Sequence, residues 1–80
     1  MTLVTVLYFA GLRDAAGVSS EVVETDSTDL RALYTELQAR HGFALTVDRL
    51  RVAINGGFVS WDDPVRSGHE VALIPPVSGG

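Results

Sequence analysis

The sequence contains no cysteine and no lysine. Without cysteine there is no disulfide framework, no thiolate metal site and no cysteine nucleophile. Without lysine all six basic residues are arginine, which compositional bias is enough to explain. No phosphate-cradling P-loop, paired-histidine zinc motif or Gly-x-Ser-x-Gly elbow occurs. His41 and His69 lie too far apart to form a local metal motif, so no metal ligands are expected. Positive charge is scarce: the net charge of −4 argues against nucleic acid or an anionic membrane as the main partner. A basic protein partner would suit it better. The apolar run at residues 3–9 is too short to span a bilayer. The basic stretch and cleavage site of a secretory signal are missing from the start. A cytoplasmic protein is therefore expected.

What is present suffices for one small domain. At 80 residues only about 60–65% of the unfolded surface can be buried. Hydrophobic residues make up 46% and charged residues 20%, with no low-complexity block, so the chain lacks the signature of disorder. The stretch "LVTVLYFA" (3–10) is β-branched and aromatic, apolar on both faces, and reads as a central strand. "GLRDAAG" (11–17) is a connection with room for a helical turn. "SSEVVET" (19–25) reads as a second strand antiparallel to the first. "DST" (26–28) supplies N-cap candidates, and Asp29 sits where negative charge favours a helix dipole.

Leu30, Leu33, Tyr34 and Leu37 then fall on a single helical stripe. Glu36 and Arg40 form an exposed i, i+4 pair, and Gly42 can close the helix with positive φ. "RVAING" (51–56) runs into Asn55-Gly56, a strong hairpin signal, with "FVSW" (58–61) as the return. "DDPVRSGHE" (62–70) is turn material, and "VALI" (71–74) is a last strand, again apolar on both faces. The order β-β-α-β-β-β, with two central strands at opposite ends of the chain, predicts an α+β fold. It is a β-grasp (ubiquitin-like), a mixed sheet of about five strands with one main helix across one face. The body occupies 1–74 and an extended tail 75–80.

That tail reads "PPVSGG". Two prolines end the strand and favour a stiff polyproline II exit. Gly79 and Gly80 carry no Cβ and suit a narrow channel. A terminal carboxylate is ionised at neutral pH, with a pKa of about 3.5, and is unreactive. To react it must become an activated acyl group, most simply a mixed anhydride with a nucleotide phosphate. The chain has no site for that nucleotide. It therefore reads as a carrier whose tail is another enzyme's substrate.

"LYFAGLRDAAG", "VAINGGFVSWDDPVRSGHEVALIPPVSGG" and the helix between them resemble the MoaD branch of the MoaD/ThiS family of sulfur carriers, the small subunits of molybdopterin synthases. The resemblance covers essentially the whole chain, and its most specific parts are "PPVSGG" and Tyr8-Phe9-Ala10-Gly11-Leu12-Arg13. It implies that an E1-like adenylating enzyme uses ATP and magnesium to activate Gly80. A sulfurtransferase then supplies the sulfur of a C-terminal thiocarboxylate. It also implies insertion of the tail into a large subunit, in a heterotetramer with two of each chain. There the sulfur passes to cyclic pyranopterin monophosphate in molybdenum cofactor biosynthesis. No cofactor is expected on the carrier itself.

On this resemblance Gly80 carries the sulfur, Gly79 keeps the stalk thin, and Ser78, Val77, Pro76 and Pro75 enter the partner. Phe58 and Ile74 are candidates for an apolar patch on the partner side of the sheet, with ordinary core filling as the alternative. Arg13 is either a mate for a partner carboxylate or a solvated arginine. Trp61 reads as edge packing before interface anchor. Gly68-His69-Glu70 departs from the Gly-Asp-Glu common in the family, and a surface turn histidine explains the change. An activated acyl end is open to attack by amines, which gives the missing lysines a second reading. Three other functions stay open: a carrier for thiamine thiazole synthesis, a ubiquitin-like protein modifier, and a binding module with an inert tail.

Overall fold

The computed structural model describes residues 1–76. Val77, Ser78, Gly79 and Gly80 lie outside the described residues. Five strands form one mixed sheet: β1 (Thr2–Tyr8), β2 (Ser20–Thr25), β3 (Arg51–Ile54), β4 (Gly57–Val59) and β5 (Glu70–Ile74), ordered β2-β1-β5-β3-β4. Two helices accompany them, α1 (Ala10–Ala16) and α2 (Leu30–His41). The β-grasp expected from the pattern is present. The first and last strands pair in parallel at its centre, with Val6 opposite Val71 and Tyr8 opposite Leu73.

Side-chain alternation decides what the sheet buries. Val4, Val6 and Tyr8 of β1, Val23 of β2, Val52 of β3 and Val71 and Leu73 of β5 pack together. Against them α2 lays Leu30, Leu33, Tyr34 and Leu37, every residue of the expected stripe, each at most 1% exposed. At roughly 1.5–3 kcal/mol per buried aliphatic or aromatic side chain, this layer is the main stabilising term of the body. The other face is left open: Leu3 is 53% exposed, Val22 69% and Phe58 67%. The two strands that read as apolar on both faces are central, yet among the described residues no helix covers their second face.

Local signals place the ends. Asp29, rather than 26–28, is the N-cap of α2, its carboxylate accepting from the Ala32 amide at 2.8 Å. Gly42 closes α2 at φ 73°, and its amide donates to the Gln38 carbonyl. Asn55 and Gly56, at φ 50° and 89°, make the tight turn between β3 and β4 that favours this pair of residues. The connection 11–17 holds more than a turn: α1 spans seven residues and buries Leu12. Residues 44–50, without a periodic signal, include a 3-10 turn at Val47–Arg49. The Tyr34 hydroxyl ties this stretch to the helix by donating to the Leu45 carbonyl at 2.6 Å.

Candidate functional site: the root of the tail

β5 delivers the tail. It lies between β1 and β3, so its backbone is held on both sides up to the last pairs, Tyr8 with Leu73 and Arg51 with Ile74. Pro75 follows half-buried and Pro76 exposed. Neither can donate to a ladder, so the sheet ends where they begin. The register puts Phe58 opposite Ala53, and Ala53 opposite Ala72, on the face away from α2. Ile74 and Arg51 share that face, since each lies one residue from the core-facing Leu73 and Val52.

Phe58, Ile74, Pro75 and Pro76 therefore line one shallow groove at the end of the sheet. The candidates Phe58 and Ile74 are brought together with the two prolines, and Phe58, two-thirds exposed, is not core filling. Arg13 is not part of this groove; it lies exposed on α1. Trp61 touches the groove but packs on the core, its ring 5.6 Å from that of Tyr34, as edge packing requires. His69 differs from a plain surface turn residue. It is half-buried, its Nδ1 is enclosed without a hydrogen-bond partner, and its carbonyl accepts from the Thr5 amide at 3.0 Å.

A polar knot braces the same end of the sheet. The Tyr8 hydroxyl donates to Glu21 Oε1 at 2.5 Å, and His41 Nε2 lies 2.8 Å from the same oxygen. The Tyr8 and His41 rings meet edge to face at 5.6 Å. Burial works to raise the Glu21 pKa, but the hydrogen bonds from Tyr8 and His41, helped by the charges of His41 and Arg40, hold it below its ordinary value. Burial, and then the bond to Glu21, push the Tyr8 phenol far up, so it remains a donor. One carboxylate thus joins β1, β2 and the last residue of α2, beside the pair that precedes Ile74.

Comparison with known proteins decides the family. The family model described as ThiS matches residues 6–80, nearly the whole chain. The chain belongs to the ThiS family. The molybdopterin synthase sulfur carrier subunit of Escherichia coli is 37% identical to this ThiS-family chain over 81 residues, which cover 98% of the chain and 100% of that protein. A solved structure described as a putative molybdopterin converting factor, subunit 1, from Pyrococcus furiosus superposes with a TM-score of 0.79. It is 33% identical and covers 96% of this chain and 100% of that one. A chain from the complex of subunits 1 and 2 of the Helicobacter pylori molybdopterin-converting factor shares the fold, with a TM-score of 0.69 at 24% identity, covering 99% of this chain and 100% of that one.

Two features of this ThiS-family site were not anticipated from its sequence. Glu21 and His41 carry no mutual spacing signal, because strand and helix meet only in the folded state. Arg51 reads as an ordinary strand residue, yet its guanidinium lies over the Phe58 ring, 5.8 Å from the centroid. The pairing of Ala53 with Phe58 across the Asn55-Gly56 turn contains that contact in outline. Among the described residues no group of three His, Asp or Glu side chains could hold a metal ion. No helix among them is long and apolar enough to cross a membrane.

Proposed function

We propose that this chain is the sulfur carrier subunit of a molybdopterin synthase, acting in the cytoplasm through the carboxylate of Gly80. The observation that carries this reading is its full-length match to the Escherichia coli sulfur carrier subunit. An E1-like enzyme with ATP and magnesium joins a Gly80 carboxylate oxygen to the α-phosphorus, releasing pyrophosphate. A sulfurtransferase persulfide then displaces AMP as an acyl disulfide, and a thiol reductant cleaves its S–S bond, leaving the terminus a thiocarboxylate and the thiols a disulfide. The large subunit receives the tail, the thiocarboxylate sulfur bonds to cyclic pyranopterin monophosphate, and water cleaves the acyl–sulfur bond, so the sulfur stays on the pterin and Gly80 returns to a carboxylate. Two such transfers build the dithiolene.

Each part of the described chain has a place in this scheme. β5 fixes the root of the tail, Pro75 and Pro76 aim it, and Phe58 with Ile74 gives the receiving subunit an apolar surface beside the exit. The complex of subunits 1 and 2 in Helicobacter pylori provides a precedent for such a partner. The test is intact-mass measurement after incubation with ATP, the adenylating enzyme and a sulfur donor. One oxygen is expected to be replaced by sulfur at Gly80, and the large subunit with the pterin precursor then removes it. A mass that never changes overturns the carrier role. A loaded terminus that the large subunit cannot discharge redirects it to another sulfur pathway.

A further inference from the structure

The groove at the root of the tail carries charge as well as apolar surface. Arg31, Arg49 and Arg51 line it together with one acid, Asp48, on a chain whose net charge is −4. Arg31 is already paired, its guanidinium 3.2 Å from the Asp62 carboxylate. Asp48 accepts from the Thr46 hydroxyl, and the nearby charge of Arg49 helps hold its pKa down. Among the described residues neither Arg49 nor Arg51 has an acidic side chain within salt-bridge distance, and of the two only Arg51 lies over an aromatic ring.

Arg51 is nevertheless held in place. Its strand pairs it with Ile74, the last residue before the prolines, and its guanidinium lies over the Phe58 ring at cation–π range, 5.8 Å from the centroid. A guanidinium lying on an aromatic face keeps its N–H edge free for two parallel bonds to a carboxylate. Phe58, Ile74 and Pro75 beside it exclude water when a partner covers them, and a charge-assisted pair is stronger there. Arginine is also among the residue types enriched where binding energy concentrates at protein interfaces.

We propose that Arg51, placed over Phe58, receives an Asp or Glu carboxylate of the protein that takes up the tail, and so sets the angle at which the tail enters. This rests on the sulfur-carrier reading, with the large subunit as occupant. A second copy of this chain is the competing occupant, since it too is acidic. The tail-receiving carboxylate is the partner of choice because Arg51 faces the exit of the tail, where the receiving protein must close around Pro75.

The test is titration of the large subunit with the full chain at low and physiological salt. Arg51→Ala is expected to weaken binding about tenfold and to flatten the salt dependence, as loss of one charge-assisted contact requires. Arg51→Lys, which keeps the charge but not the fork, is expected to fall between Ala and the unaltered chain. Arg51→Glu is expected to weaken binding about a hundredfold. Far-ultraviolet circular dichroism of each variant checks that the fold persists. Binding of Arg51→Glu within twofold of the unaltered chain, with unchanged salt dependence, overturns the proposal. So does self-association of the unaltered chain that Arg51→Glu abolishes. If the unaltered chain takes up sulfur but never binds the large subunit, the inference and the synthase assignment fall together. If it binds but Arg51 does not matter, only the inference falls.

Discussion

Replacing Glu21 by Gln tests the polar knot at the tail end of the sheet. The glutamine keeps the shape and an acceptor oxygen, so what it removes is the charge. Two hydrogen bonds, from the Tyr8 hydroxyl at 2.5 Å and from His41 Nε2 at 2.8 Å, then become neutral ones. Bonds to a charged group contribute roughly 1.5–3 kcal/mol and neutral ones roughly 0.5–1.5, so each loses about 1 kcal/mol. The Glu21 side chain is 24% exposed, and solvent screening lowers the sum for the pair to about 1–2 kcal/mol. For a domain of this size that is a fall in Tm of roughly 5–15 °C at neutral pH.

The same substitution has a signed pH dependence. Because the folded pKa of Glu21 lies below its ordinary value of 4.5, the stability it confers is complete above that value and is lost as pH falls through the lower folded one. Glutamine does not titrate. The gap between the two proteins is therefore widest near pH 7 and closes in acid. Thermal melts by circular dichroism from pH 7 down to pH 3 measure it. Identical melting at pH 7, or a gap that widens in acid, would refute the assignment of Glu21 as the charged hub. A double-mutant cycle with Tyr8→Phe is expected to show coupling, since both changes act on one bond.

Further outcomes follow from the tail and its root. Phe58→Asp, at a position 67% exposed, is expected to change stability by less than about 0.5 kcal/mol while weakening large-subunit binding at least tenfold, read by calorimetry. Gly80→Val is expected to abolish sulfur transfer in a synthase assay with the fold unchanged, because a branched Cβ does not fit a channel shaped for glycine. Changing Pro75 and Pro76 together to Ala is expected to lower the transfer rate at least tenfold through loss of a stiff lead-in. Unaltered activity would mean that the prolines only end β5.

Much of this was legible in the amino-acid order, for identifiable reasons. The α2 stripe was readable because helical periodicity is local, and Asn55-Gly56 because few residues accept two successive positive φ values. The central place of β1 and β5 was readable from their unbroken apolar runs. What apolar strand residues do not reveal is which face stays bare: Leu3 of β1 and Val22 of β2 look like core in sequence, yet both are exposed on the sheet face away from α2. The cap shifted from 26–28 to Asp29 because neighbouring carboxylates and hydroxyls can all cap a helix and only geometry chooses. The Tyr8–Glu21–His41 knot and the Arg51–Phe58 contact join side chains from different elements, and no periodicity records such meetings. Arg13, by contrast, was readable as an exposed arginine but not as one outside the groove.

The parallel pairing of the first strand with the last has a consequence for how the carrier is made. β5 slots between β1 and β3, and contacts between strands so distant in sequence are among the slowest to form. On a ribosome, β1, α1, β2, α2, β3 and β4 all emerge before the strand that completes the sheet. Phe58 has no neighbouring Ile74, and Arg51 no strand beside it, until that final insertion. The segment bearing the tail follows β5 directly, so the act that finishes folding is also the act that assembles the surface a partner must recognise. A chain whose last strand has not inserted therefore lacks that surface altogether.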